Sequence, residues 1–275
     1  MVRRRQTSYT TVMPVKRSSL DDLDMYFYHG VNPTTRTLWL GGVAQSDPGA
    51  DDEATEESGI YWNTARRLIL GLAALDDPKR PITIIMNSCG GDWNHGMAVY
   101  DAIRQCRSHV TVINMSHARS MTSLIFQAAD LRITAPHSYY MIHDGEEGVH
   151  GTPATVTSTV AFNRAHMDRT MYQIYLNRLL ETNDTGEPRV SVDVATRLLN
   201  AKLPEGAEKI RRSVGVKEKH IRQLCSRDTF FTPEEMVQLN FADRLLESGD
   251  LAGAYANPDM HGLPIGQASL LDDAG

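Results

Sequence analysis

From Pro81 to Ile142 the chain alternates short apolar runs with helical patterns, and that alternation limits the possible folds more than any other feature. Residues Pro81 to Met86 (PITIIM) are a nearly unbroken apolar run of strand length, as expected of a strand buried on both faces. The pattern then predicts a helix from Trp93 to Cys106, a strand over Val110–Asn114, a helix from Ser120 to Ala129, and strands at Leu131–Thr134 and Tyr139–Ile142. Strands alternating with helices at this spacing imply parallel crossover units, hence an α/β core with helices packed on a sheet. In such sheets, sites form where strands end and helices begin.

The flanks are plainer. Residues 1–33 read as a polar, irregular, flexible arm, followed by a short β-rich run from Arg36 to Leu40 that stops at Gly41-Gly42. The acidic stretch from Ser46 to Ser58 lacks any period and reads as a surface loop. Trp62, Ala65, Leu68, Ile69, Leu72 and Leu75 recur at helical spacing until Asp76-Asp77-Pro78 stops them. A long helix is expected from about Val160 to Glu181, with Met167, Met171, Ile174, Tyr175 and Leu179 marking one face, and that stripe suggests a second copy as its partner. Residues 182–220 read as an insertion with one or two helices. Thr232-Pro233-Glu234-Glu235 is a helix start with cap, proline and capping glutamate in place. From 248 to 275 the composition suggests a disordered tail.

At 275 residues and 41% hydrophobic, the chain can bury one large core with extensions. A net charge of −6 gives no basic field, which argues against nucleic acid as a partner. Cys89, Cys106 and Cys225 are odd in number and lack metal-ligand spacing, which suits a reducing, cytoplasm-like compartment and predicts neither metal nor organic cofactor. No apolar run reaches membrane-spanning length, and the N-terminus lacks the apolar stretch of a signal peptide.

Chemistry concentrates on two stretches. Asn87-Ser88-Cys89-Gly90-Gly91-Asp92 is a glycine turn leaving the buried strand, and Ala118-Arg119-Ser120-Met121 sets a serine between a strand and a helix. Gly90 and Gly91 let bare backbone approach a substrate, and the Met121 amide at a helix start joins them as a donor for a developing oxyanion. A serine nucleophile needs a base, and the base needs an orienter. Of ten histidines, His143 ends an apolar strand and is followed by a turn, whereas His117 lies three residues before the serine; both stand as candidates. His29, His150, His220 and His261 fall in expected loops.

These residues resemble the Clp peptidases, the caseinolytic serine protease subunits. Asn87-Ser88-Cys89-Gly90-Gly91 is similar to their Asn-Ser-Pro-Gly-Gly turn, Ala118-Arg119-Ser120-Met121 to their nucleophile motif, and Met141-Ile142-His143 to their Met-Ile-His. The segment from Arg227 through Glu235 resembles the family's acid-bearing segment and implies Asp228 as the third triad member. The likeness spans about residues 36–247, inside an expected peptidase domain at 34–247. It implies a crotonase-like α/β fold, Ser120, His143 and Asp228 as catalytic residues, and oxyanion donors at Gly91 and Met121, with Gly90 and Asp92 lining the substrate site. It also implies endopeptidase chemistry through an acyl-enzyme, and a handle helix joining stacked heptameric rings whose assembly involves Arg227. The partners implied are protein or peptide substrates, an AAA+ unfoldase and a second peptidase subunit. Cys89, Arg119 and Thr122 depart from the family pattern, where proline, a small residue and glycine stand, and Gly145 to Gly151 carries added acid. The insertion exceeds the family's connection by roughly twenty residues. Two other classes remain at this point. One is a non-catalytic subunit of a mixed ring. The other is a crotonase-type acyl-CoA enzyme, which needs the amide pair but no nucleophilic serine.

Overall fold

The computed structural model describes residues 19–41, 59–146, 148–213 and 215–251. In chain order its elements are α1 (Ser19–His29), β1 (Val31–Asn32), β2 (Thr37–Leu40), α2 (Trp62–Leu75), β3 (Ile82–Ser88), α3 (Trp93–Gln105), β4 (Val110–Arg119), α4 (Met121–Gln127), β5 (Leu131–Thr134) and β6 (Tyr139–Ile142). Then come α5 (Pro153–Asn163), a π-helical turn at Arg164–Asp168, α6 (Arg169–Leu179), α7 (Val192–Lys202), α8 (Glu208–Arg211), α9 (Glu218–Cys225), β7 (Thr229–Phe231), α10 (Pro233–Gln238) and β8 (Arg244–Leu245). The result is a mixed α/β fold. None of the described helices is long and apolar enough to cross a membrane.

The strands form one sheet in the order β1-β2-β3-β4-β5-β8, with β6 paired to β4 and β7 to β6. Only the β1–β2 and β6–β7 pairs are antiparallel. Strand β3 explains its own centrality: Ile82, Ile84, Ile85 and Met86 are all buried, as a strand covered on both faces requires. Strand β4 forks the sheet. Its first half, Thr111–Asn114, pairs with β5, and its second half, His117–Arg119, pairs with β6. The Asn114 side chain sits at the fork and donates to the Thr134 hydroxyl (3.2 Å) and the Tyr139 carbonyl (3.2 Å). This fork is why β4 runs on to Arg119, five residues past the strand end expected at Asn114.

The expected irregular arm differs from the structure at its second half. Residues Ser19–His29 are helical, the Gly30 amide closes the helix end on the Tyr26 carbonyl (2.9 Å), and Trp39 ties back to the Gly30 carbonyl (2.8 Å). Residues 1–18, the acidic stretch 46–58 and the tail from 252 lie outside the described residues. The long helix also starts earlier than expected, at Pro153, where Thr152 caps it by accepting the Thr155 amide (3.3 Å). Its two halves behave differently. Helix α6 buries Met171, Tyr172, Tyr175 and Leu179 in this chain's own core, at about 1.5–3 kcal/mol for each large apolar side chain. Helix α5 buries no residue and leaves Phe162 exposed. The stripe expected to need a second copy is therefore covered within the chain along α6.

The insertion holds the two helices α7 and α8 and ends in the first turn of α9, and its Val190, Ala195, Leu199, Leu203 and Ala207 join the main core. His220, expected in a loop, is wholly buried in α9, since Ile221, Leu224 and Cys225 around it follow helical spacing. Its Nδ1 accepts the Lys217 amide (3.0 Å), which leaves the proton on Nε2 facing the Ser213 hydroxyl (3.2 Å). Burial lowers the pKa of this imidazole below its ordinary value of 6.5. The folded state then binds fewer protons than the unfolded one below that value, so stability is complete above about pH 6.5 and falls as the pH drops toward the folded pKa. Urea unfolding from pH 8 to pH 5 is expected to show this acid-side loss, and His220→Gln is expected to flatten it.

Candidate active site

Strand register assembles the site. The β3–β4 pairing sets Ser88 beside Ala118, so the glycine turn after β3 lies against the corner after β4. The β4–β6 pairing sets Arg119 beside Met141, and the Ser120 amide donates to the Met141 carbonyl (3.1 Å). Ser120 and His143 thus follow neighbouring parallel strand ends. Strand β7 returns antiparallel on β6 with Thr229 opposite Ile142, which places Asp228 alongside His143.

The side chains meet accordingly. His143 Nε2 lies 2.8 Å from Ser120 Oγ, and His143 Nδ1 lies 3.0 Å from Asp228 Oδ1. An ionised carboxylate only accepts, so it fixes the proton on Nδ1 and leaves Nε2 free to take one from the serine. The imidazole is largely covered, at 22% exposure, while the Asp228 side chain is 58% exposed. The rival histidine is elsewhere engaged: His117 is buried, with Nδ1 3.0 Å from Ser116 Oγ and its ring stacked on Tyr139. Sequence reasoning left His117 and His143 open, and geometry separates them.

Ser120 itself occupies φ 51° and ψ −125°, a conformation that non-glycine residues rarely adopt, at the turn from β4 into α4. Such a corner raises a nucleophile clear of its strand. Gly90, at φ 109°, lies so close that a Cβ there would fall 2.5 Å from Ser120 Cβ and 3.0 Å from the Met121 amide nitrogen. Gly91, at φ 141°, has no room for a Cβ either, which would meet the Ile60 backbone at 2.5 Å. The Met121 amide stands in the first turn of α4, where amides have no partner within the helix. The turn and the helix start are therefore adjacent and built from bare backbone, an arrangement able to hold a developing negative charge.

Asp92 has its own structural work. Its carboxylate caps α3 by accepting the His95 amide (2.9 Å), its amide donates to Ile60, and its carbonyl accepts from Gly96. Arg227 donates to the Lys202 carbonyl (2.8 Å) at the end of α7, so within this chain it ties the Asp228 segment to the insertion. Thr122, where glycine was expected from the resemblance, is fully buried. Its hydroxyl lies 2.8 Å from the Ser88 carbonyl and accepts the Arg119 amide (3.1 Å), joining the glycine turn to the serine corner. Cys89 and Arg119 are partly buried. Among the described residues no group of His, Cys, Asp and Glu side chains is arranged to hold a metal ion.

Sequence reasoning missed the supports of this corner. The Ser123 hydroxyl donates to the Ser120 carbonyl (2.5 Å), and Tyr175 on α6 meets that hydroxyl at 2.6 Å. Tyr172, one turn earlier, donates to Asp144 Oδ1 (2.8 Å), next to His143 in the chain. Their spacing of three on the buried face of a helix was the available signal.

Comparison with known proteins points to one family. The Clp protease family model matches residues 55–195, half of the chain. A protein named ATP-dependent Clp protease proteolytic subunit 2, from Rhodococcus jostii, is 24% identical over 184 residues, covering 66% of this chain and 76% of that protein. An ATP-dependent Clp protease proteolytic subunit from Deinococcus radiodurans is 26% identical over 187 residues, covering 66% of this chain and 74% of that protein. One from Chlorella vulgaris is 39% identical over a shorter 85 residues, 30% of this chain and 42% of that protein. With the matched region carrying the glycine turn, the serine corner and the histidine strand, the chain belongs to the Clp protease family.

Proposed function

We propose that this chain is a serine endopeptidase subunit in which Ser120 is the nucleophile, His143 the general base and acid, and Asp228 the orienting carboxylate. One observation carries the reading: a single imidazole hydrogen-bonded to the serine on one side and to a carboxylate on the other. Ser120 Oγ attacks the scissile carbonyl carbon and its proton passes to His143 Nε2. The carbonyl oxygen becomes an oxyanion facing the Gly91 and Met121 amides. Collapse breaks the C–N bond, His143 returns the proton to the leaving amine, and water then releases the acyl-enzyme by the same steps. Gly90 keeps the turn close to the serine, and Asp92 shapes the cleft through its cap on α3.

The rest of the reading follows from family membership. The fold is crotonase-like, the peptidase unit spans 34–247 with the 182–220 insertion inside it, and α5 and α6 form the handle of stacked, ring-shaped oligomers, in which Arg227 contributes to assembly. Substrates are unfolded proteins or peptides. The names of the relatives include "ATP-dependent" and "proteolytic subunit", which supports a partnership with an unfoldase ATPase. A fluorophosphonate probe tests the central claim. Stoichiometric modification mapped to Ser120, and lost in His143→Ala, is expected. Absence of modification in a folded protein would return the chain to the class of non-catalytic subunits.

A further inference from the structure

We infer that Tyr172 and Tyr175 are positioning residues, through which α6 holds the nucleophile and the base in mutual alignment by two separate hydroxyl contacts. The inference rests on the peptidase reading above and adds residues to it.

The chemistry of each contact is determined by its neighbours. The Ser123 hydroxyl has one proton and donates it to the Ser120 carbonyl (2.5 Å), which can only accept. At the 2.6 Å contact between Ser123 and Tyr175, the phenol must then be the donor. The result is a directed chain from α6 to the main chain of the nucleophile, and the same Ser120 carbonyl also takes the Ser123 amide (3.0 Å). On the other side of the site, the Tyr172 phenol donates to Asp144 Oδ1 (2.8 Å), and the Asp144 amide donates to the Cys225 carbonyl (2.6 Å) at the end of α9. Asp144 directly follows His143, so this pair fixes the strand end that carries the base. Both tyrosines are almost fully covered, at 2% and 1% exposure. Burial pushes both phenols far above their ordinary pKa, so the donors keep their protons at any working pH.

The strained backbone of Ser120 supplies the reason such bracing is needed. A residue held at φ 51° relaxes unless its surroundings over-determine it. Neither tyrosine reaches the reacting atoms. Each acts through a backbone neighbour of one partner, and both stand on one helix separated by three residues, so α6 is a common reference for two groups that come from different strands.

Phenylalanine replaces each tyrosine without changing its packing, and the full chain is the material for the test. Tyr175→Phe and Tyr172→Phe are each expected to lower kcat for a short peptide substrate about three- to tenfold, the range of one lost hydrogen bond, while KM stays within about twofold. The rate of fluorophosphonate modification at Ser120 is expected to fall in step, with Tm shifted by only a few degrees. Met171→Val, which trims the same buried face but leaves both hydroxyls, is expected to lower Tm and leave kcat unchanged. Parent-like kcat in both phenylalanine variants overturns the inference, as does an equal loss of kcat in Met171→Val, because packing rather than the hydroxyls would then set the alignment. The underlying reading is distinguished by Ser120→Ala: an inactive Ser120→Ala beside fully active tyrosine variants removes this inference alone, whereas an active Ser120→Ala removes the peptidase reading itself.

Discussion

Ser120→Ala is expected to lower peptide hydrolysis by at least about 10⁴-fold in kcat, equivalent to about 5.5 kcal/mol of barrier, with substrate binding nearly unchanged. The direction follows from geometry. Alanine keeps the corner between β4 and α4 but removes the oxygen 2.8 Å from His143 Nε2, so no acyl-enzyme forms and the histidine has no proton to accept. His143→Ala is expected to cost about as much, since residues acting as a unit fail together. Asp228→Asn is expected to cost somewhat less than either, on the order of 10⁴-fold, because an asparagine amide can donate to Nδ1 and hold the imidazole in the tautomer that cannot take the serine proton. Steady-state hydrolysis of one fluorogenic peptide by the three variants gives that order directly. Unimpaired turnover by Ser120→Ala would falsify the assignment of the nucleophile.

The second large effect lies away from the site. Arg132, on β5, is 1% exposed, and its guanidinium donates to Gln127 Oε1, Asn240 O, Asn240 Oδ1 and both Asp243 oxygens at 2.7–3.1 Å. All five of its donors are used. Burial pushes Asp243 upward, yet the hydrogen bonds and charge of Arg132 outweigh that and hold the carboxyl below its ordinary range. Arg132→Met leaves this carboxylate covered and without its main partner, and is expected to lower stability by about 3–5 kcal/mol and Tm by roughly 10 °C. Arg189 contacts the same oxygen at 3.0 Å but is 38% exposed, and Arg189→Ala is expected to cost less than about 1 kcal/mol. Thermal unfolding of the two variants side by side tests whether burial, rather than the number of ion pairs, sets the cost. Restoration of part of the loss in an Arg132→Met, Asp243→Leu double variant is expected for the same reason.

What was legible in the sequence followed from how locally each signal is written. Strand β3 and helix α2 appear almost as expected because a strand buried on both faces is an apolar run and an amphipathic helix repeats its stripe. The capping box at Thr232 forms as read, with Thr232 and Glu235 exchanging their bonds. Helix α5 begins with the same threonine–proline pair, Thr152-Pro153, and its start was there to be read, but its lack of an apolar stripe hid it. The candidate site divides in the same way. Ser120 and His143 could be nominated because each ends a recognisable strand. Asp228 could not be picked from 34 acidic residues by pattern, since a strand of three residues brings it into place and its partner lies 85 residues earlier. Family resemblance supplied it. The backbone of Ser120 and the buried Thr122 hydroxyl have no sequence period, and the spacing of the two tyrosines of α6 marks them as core positions without saying which groups their hydroxyls meet, because that depends on what another element presents.

The antiparallel return of β7 onto β6 also orders events in time. The serine and the histidine are 23 residues apart and leave the ribosome together, but the carboxylate that completes their hydrogen-bonded line arrives 85 residues later, after the whole of α5 to α9. A growing chain consequently holds Ser120 and His143 without the carboxylate that meets His143 Nδ1. In the peptidase reading proposed above, the half-made polypeptide lacks a complete triad until β7 pairs with β6, so the short strand that carries Asp228 into place is also a safety catch.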